Sequence, residues 1–273
     1  MHRDAQPMET EDDAETRLAA ALLRHQALAI AVSGGVDSMT LAHVAHRLLG
    51  SSVLMIHATS PAVPAAATAR VQAYAQREGW NLEITAAGEF DDPAYRANPV
   101  NRCYYCKSNL YDRIRAITPF AIASGANLDD LDDYRPGLVA AAERDVVHPY
   151  IEARIDKVRV RAIARRHGLS DVAELPAQPC LSSRVETGIA IDADDLAFID
   201  TVETTLSRWV PSGAAVRCRI THGGVVVELG PEAMQVATRA AGATAQLCAQ
   251  SHRTFVGVRE YRRGAAFLKI VAA

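Results

Sequence analysis

Short apolar runs alternate with longer amphipathic stretches through the first half of the chain. Leu28-Ala29-Ile30-Ala31-Val32 is the clearest run, and it predicts a short buried strand. Residues 52–57, 81–85 and 119–123 predict three more strands. Helical spacing marks 14–24, 37–49, 64–78, a stretch from Cys103 to 117, and a basic segment at 156–167. Gly50, Gly79 and Gly168 close the helices before them. Strands alternating with helices of this length predict an α/β fold built on a doubly wound parallel sheet. Ligands of such sheets sit beyond the carboxyl ends of the strands.

The rhythm changes near residues 185–191. A helix at 193–209 is followed by strands at 215–220 and 225–229 around His222-Gly223-Gly224. A helix at 231–250 and short strands near 254–258 and 266–271 complete an α+β pattern of split βαβ character. The predicted organisation is a mobile, acidic tail (1–15), a nucleotide domain (16–186) and a smaller α+β domain (187–273).

Composition adds boundaries rather than detail. Hydrophobic residues at 49% and charged residues at 22% are ordinary for a globular protein. No apolar run reaches bilayer length and the start carries no signal-peptide core, so a cytoplasmic protein without membrane contact is expected. A net charge of −3 argues against a general nucleic-acid binder. Five cysteines without a secretion signal point to thiol or metal chemistry rather than to disulfides.

The chemistry begins where the first strand ends. Ser33-Gly34-Gly35-Val36-Asp37-Ser38 joins that strand to a helix. Gly34 and Gly35 let a bound anion approach the backbone, and the helix adds unspent N–H groups and its positive end. Ser33 and Ser38 add hydroxyls, while Asp37 suits a bound Mg²⁺ or a brace for the loop. No Gly-Lys-Ser/Thr ending follows, which excludes a Walker A loop. All six residues resemble the loop of the N-type ATP pyrophosphatases, which cleave ATP between its α and β phosphates. Topology places His57-Ala58-Thr59-Ser60 beside the adenine. Ser124-Gly125-Ala126-Asn127 ends the fourth strand and leads into the aspartates 129–133, which suit Mg²⁺, ribose or, equally, a solvated turn with a helix cap. In the basic segment 156–167 a solvated face is expected for most cations, with one or two turned to the phosphates.

Cys103 and Cys106 stand three apart at a helix start, where the dipole favours thiolate. Cys180 lies in a proline-stiffened loop, Pro179-Cys180-Leu181-Ser182-Ser183-Arg184. Three thiolates with no fourth ligand fit a [4Fe–4S] cluster with one open iron, and a redox pair competes for the first two. Cys218 and Cys248 fall in core positions. Arg184, and Arg217 with Arg219 on one strand face, are candidates for an anionic acceptor; a solvent-facing basic stripe is the equal alternative for the strand pair.

Taken together, the phosphate loop, the Arg102–Lys107 segment, the Ala126–Gly137 segment and Pro179–Arg184 resemble the LarE family of ATP-dependent sulfur transferases. The likeness runs over roughly the whole chain. It implies ATP and Mg²⁺ bound through Ser33, Gly34, Gly35, Val36, Asp37, Ser38, Ser60, Gly125 and Asn127. Asp37, Cys180 and Arg184 are the catalytic group it implies, and Arg184, Glu203, Arg217, Arg219 and Glu228 would bind a small anionic nucleotide. Some members of the family sacrifice the cysteine matching Cys180 as the sulfur donor, leaving dehydroalanine. This sequence fits the other kind, in which Cys103, Cys106 and Cys180 would hold a [4Fe–4S] cluster fed by a sulfide source, in a homo-oligomer. Tyr261-Arg262-Arg263-Gly264-Ala265-Ala266 departs from the family's usual ending. A tRNA thiolase of the same superfamily and a non-enzymatic nucleotide or metal sensor are the competing readings. The first ranks lower because there is one Cys-x-x-Cys and a negative net charge.

Overall fold

The structure is a computed structural model that describes residues 11–132 and 135–262. Residues 1–10 of the expected tail, Asp133 and the expected strand at 266–271 lie outside the described residues. In chain order the elements are α1 (Glu11–Leu22), β1 (Leu28–Ala31), α2 (Val36–Leu49), β2 (Val53–Thr59), α3 (Ala65–Glu78) and β3 (Asn81–Ala86). Next come α4 (Pro93–Arg96), α5 (Arg102–Ile117), β4 (Ala121–Ala123), α6 (Pro136–Ala142), α7 (Pro149–Glu152), α8 (Lys157–Arg166) and α9 (Ser170–Ala173). The chain continues with α10 (Ala193–Ser207), β5 (Val216–Thr221), β6 (Gly224–Leu229), α11 (Ala237–Gln250) and β7 (Phe255–Glu260).

Two compact groups of residues emerge. The first contains the described residues up to Ala58, together with Ala69–Thr85 and Tyr111–Leu175. Its parallel sheet has the order β3-β2-β1-β4, with Leu28 opposite Val53 on one side and Ala121 on the other. β1 is central, which explains its unbroken apolar composition. Ile30, Met39, Leu41 and Met55 are fully buried in this core, each contributing roughly 1.5–3 kcal/mol. Gly50 ends α2 at φ +56°, its N–H donating to the His46 carbonyl.

The second group contains Thr59–Thr68, Ala86–Leu110 and the described residues from Pro176 onward. Its sheet is mixed: β5 pairs antiparallel with β6, and β6 pairs parallel with β7 after the α11 crossover. Ala62, Tyr95, Leu181 and Val185 share its core with Leu196, Ile199, Cys218 and Val227. Burial of those four side chains carries their segments into one group with the residues after 186. Asn98, fully buried at φ +52°, fastens the 185–189 segment, donating from Nδ2 to the Glu186 and Ile189 carbonyls at 2.9 Å each.

Candidate active site

The Ser33–Ser38 turn joins β1 to α2. Gly34 adopts φ +83°, and Gly35 caps α2 without a side-chain hydrogen bond, leaving the first helical N–H groups unspent by a cap. Ser38, 5% exposed, closes the loop from inside: its Oγ accepts the Ser33 N–H at 3.0 Å and donates to the Gly35 carbonyl at 3.2 Å. Ser33 Oγ lies 3.1 Å from the same hydroxyl. Val36 is buried in the core, so it anchors the loop.

Asp37 is braced from three elements. Asn127 Nδ2 donates to its Oδ1 at 3.2 Å, Tyr150 Oη donates to its carbonyl at 3.1 Å, and Lys157 Nζ forms an ion pair with Oδ2. Asn127 also caps the turn after it, its Oδ1 accepting the Asp129 N–H at 3.1 Å. Asp130 spends its carboxylate on the Asn127 N–H and on Arg135, so the capping role holds for this part of the acidic turn. Gly125 has a steric reason to be glycine: a Cβ there would stand 2.9 Å from the Ser38 nitrogen.

Lys157 is the residue that sequence reasoning did not single out. Asp156 caps α8 by accepting the Arg159 N–H at 2.8 Å, which presents Lys157 in the first turn. Its basic neighbours turn elsewhere. Arg161 donates to the Ala173 and Leu175 carbonyls, Arg165 pairs with Glu174, and Arg166 pairs with Glu15. The usable signal was the single lysine among arginines, directly after an N-cap aspartate. His57 does not offer its ring as a free edge: it is fully buried, its Nδ1–H donates to the Val32 carbonyl at 2.7 Å, and burial pushes its pKa below the ordinary range. Ser60 Oγ accepts the Ala62 N–H at 3.1 Å in a local turn.

In the second group, arginines suspend the Cys180 loop by its carbonyls. Arg184 Nη1 donates to Pro179 O at 2.6 Å and Cys180 O at 3.2 Å, Arg219 to Ser183 O at 2.9 Å, and Arg217 to Ala177 O at 2.9 Å. Arg184, 3% exposed, closes a two-bond pair with Glu203, both contacts being 2.9 Å. Glu203 also accepts the Cys218 N–H. Fully buried Glu228 takes Arg219 at 2.8 Å and Arg259 at 2.7 Å. Three arginines (Arg184, Arg219 and Arg259) thus pair with two carboxylates, and Arg217 beside them makes no ion pair among the described residues. Burial and the Arg184 charge push the Arg217 guanidinium below its ordinary value. An anion would restore the balance.

Cys106 differs from the expectation of a helix-start thiolate. Burial raises Cys106 to about 12, Lys107 opposes it, and Cys180, Glu89 and Cys103 add to it. Desolvation therefore outweighs the helix dipole. The three cysteines share one electrostatic neighbourhood, yet no group of three His, Cys, Asp or Glu side chains among the described residues is arranged to hold a metal ion. Behind them Tyr95, 1% exposed, shares a 2.6 Å hydrogen bond with the buried Ser182 hydroxyl, fixing the turn after Cys180. Glu89 is 2% exposed and its Oε2 has no hydrogen-bond partner. Neither Tyr95 nor Glu89 was singled out by the sequence.

Comparison with known proteins adds the family. No family model matches the chain. It is 41% identical to an uncharacterised protein of Synechocystis sp. over 213 residues, covering 76% of this chain and 77% of that one. It is 31% identical to the pyridinium-3,5-bisthiocarboxylic acid mononucleotide synthase of Lactiplantibacillus plantarum over 222 residues, 79% of each chain. The chain belongs to the LarE family. An uncharacterised relative in Methanocaldococcus jannaschii, 25% identical over 210 residues, covers 76% of this LarE-family chain and 79% of its own. No described helix is long and apolar enough to cross a membrane.

Proposed function

We propose that this chain is an ATP-dependent sulfur transferase. It adenylates a carboxylate of a pyridinium biscarboxylate mononucleotide and installs a thiocarboxylate sulfur, a step in making the nickel-pincer nucleotide. The fold is that of the N-type ATP pyrophosphatases, with residues 16–186 carrying ATP and 187–273 supplying acceptor contacts, in a cytoplasmic homo-oligomer. The observation that carries this reading is a cysteine on a loop suspended by arginines with surplus positive charge, in a chain that also holds an anion-cradling Ser-Gly-Gly-Val-Asp-Ser turn.

ATP enters as a substrate. An acceptor carboxylate oxygen attacks the α-phosphorus and pyrophosphate leaves, stabilised by the backbone N–H groups of the loop. Lys157 adds a positive charge beside that site. Asp37 is the residue that would hold Mg²⁺, which supplies charge neutralisation to the phosphates. Lys157 and Asn127 each contact one of its oxygens, so a Mg²⁺ held there would share the carboxylate with them. Cys180 Sγ then attacks the acyl carbon and AMP leaves. Loss of the Cys180 Cα proton with cleavage of its Cβ–S bond yields the thiocarboxylate and dehydroalanine, with no external oxidant. Arg184 and Glu203 keep the Cys180 loop in place, and Arg217, Arg219 and Glu228 line the acceptor side.

A second reading rests on the shared neighbourhood of Cys103, Cys106 and Cys180. Here the cysteines carry a [4Fe–4S] cluster fed by exogenous sulfide, after a rearrangement that brings the three sulfurs together. One experiment tests both. Anaerobic protein is analysed for iron and sulfide, then turned over once with ATP and acceptor under phosphorus NMR and intact-mass measurement. AMP and pyrophosphate, with the protein lighter by one H₂S, are expected. ADP and orthophosphate would remove the adenylation assignment. Stoichiometric iron with unchanged protein mass would replace sacrificial Cys180 by the cluster.

A further inference from the structure

The loop is held from outside by a residue that the proposed reaction has not used. Arg70, on α3 and half-buried, donates from Nη1 to the Gly34 carbonyl at 2.7 Å. That carbonyl belongs to the same planar peptide unit as the Gly35 N–H, and no peptide bond among the described residues is cis. In a trans unit the two point in opposite directions. Holding the oxygen toward α3 therefore turns the Gly35 N–H away from Arg70. The Gly35 carbonyl is fixed separately, accepting the Met39 N–H at 3.0 Å and the Ser38 hydroxyl at 3.2 Å.

A peptide between two glycines is the easiest kind to rotate, because neither side carries a Cβ to oppose the new φ and ψ. The rotated state would exchange an N–H donor for a carbonyl oxygen at the place where the phosphate loop needs donors. We infer that Arg70 is a positioning residue that latches the Gly34–Gly35 peptide in its donor-inward state and thereby sets affinity for the β,γ-pyrophosphate of ATP. This rests on the reading of the loop as an ATP site. The latch acts on the fraction of molecules competent to bind, so its loss weakens apparent affinity in proportion to that fraction.

Binding of Mg-ATP, Mg-pyrophosphate and AMP is measured by calorimetry for the native protein and for Arg70→Met and Arg70→Gln, each checked by thermal melting. Arg70→Met should weaken ATP and pyrophosphate by about 10- to 100-fold, the value of a hydrogen bond from a charged donor, and leave AMP within about twofold. Arg70→Gln keeps a donor without the charge, so it should recover most of the loss. In single turnover the ATP concentration that gives half-maximal adenylation should rise while the maximal rate is retained. Native-like pyrophosphate binding by Arg70→Met overturns the latch, as does an equal loss for AMP. If Arg70→Gln is as weak as Arg70→Met, charge alone is responsible and the latch fails. Native protein that binds neither ATP nor pyrophosphate removes the ATP-site reading, and this inference with it.

Discussion

The Ser33–Ser38 loop and the Cys180 loop are held in shape by opposite means. The first uses backbone: a left-handed Gly34, an uncapped Gly35 and a serine that closes the turn on itself, all within six consecutive residues. The second uses charge between distant residues. Arg184 reaches Glu203, nineteen positions away, and Arg219 and Arg259 converge on Glu228 from two different strands. A backbone site tolerates an empty state, because its donors remain accessible. A buried charge network does not, because removing one member leaves the others desolvated and uncompensated.

The comparison is broken most directly at Glu203. Glu203→Ala should cost roughly 3–5 kcal/mol in urea unfolding, because Arg184 stays buried with its charge unpaired. A paired replacement, Arg184→Met with Glu203→Leu, should regain most of that stability. If Glu203→Ala unfolds like the native protein, the network does not hold the Cys180 loop. The phosphate loop should behave in reverse. Asp37→Ala should lower adenylation by at least about 100-fold while the melt moves little, since the loss falls on a charged transition state. A melt that collapses instead would make Asp37 a structural brace.

The smallest effect concerns protons. Cys106, Cys218 and Cys248 all have thiol pKa values raised by burial, Cys106 to about 12. Folded protein therefore keeps protons that unfolded chains release above about pH 8.5, and stability should decline as pH rises from there toward 12. His43, His57 and His148 are lowered by burial, so unfolded chains bind more protons below about pH 6.5 and stability should also fall on that side. Melting temperature against pH tests both limbs. Iodoacetamide at pH 8 should modify exposed Cys103 well before these three thiols.

The same contrast explains what the sequence disclosed. The four parallel strands, the helix after Ser33–Ser38 and the change of rhythm after 191 follow from local apolar spacing, and the elements fall within a few residues of expectation. Ser38 was legible because its partners, Ser33 and Gly35, lie in the turn it occupies, and Asp37 because it belongs to the same six-residue motif, although its own partners are distant. Lys157 was not, because only the pairing of α8 with Asp37 distinguishes it from the arginines around it. Arg184 and Glu203 were both named as site residues, but their mutual pairing is a fact of packing between a loop and α10. Cys106 was misjudged as a helix-start thiolate because spacing reports the dipole and says nothing of desolvation. The small helices α4, α7 and α9, four residues each, are too short to show a period.

The interleaving of the two residue groups carries a consequence for synthesis. Thr59–Thr68 and Ala86–Leu110 leave the ribosome early, yet their apolar partners Leu196, Ile199 and Val227 are made more than eighty residues later. Ala62 and Tyr95 must therefore wait, unburied, while the chain that covers them is still being translated. Contacts of such long sequence separation form slowly and leave hydrophobic surface exposed to aggregation in the meantime. The first group can close once Leu175 has emerged. A nascent chain of this protein thus passes through a stage in which the Ser33–Ser38 loop is formed and the core around Cys180 is still open.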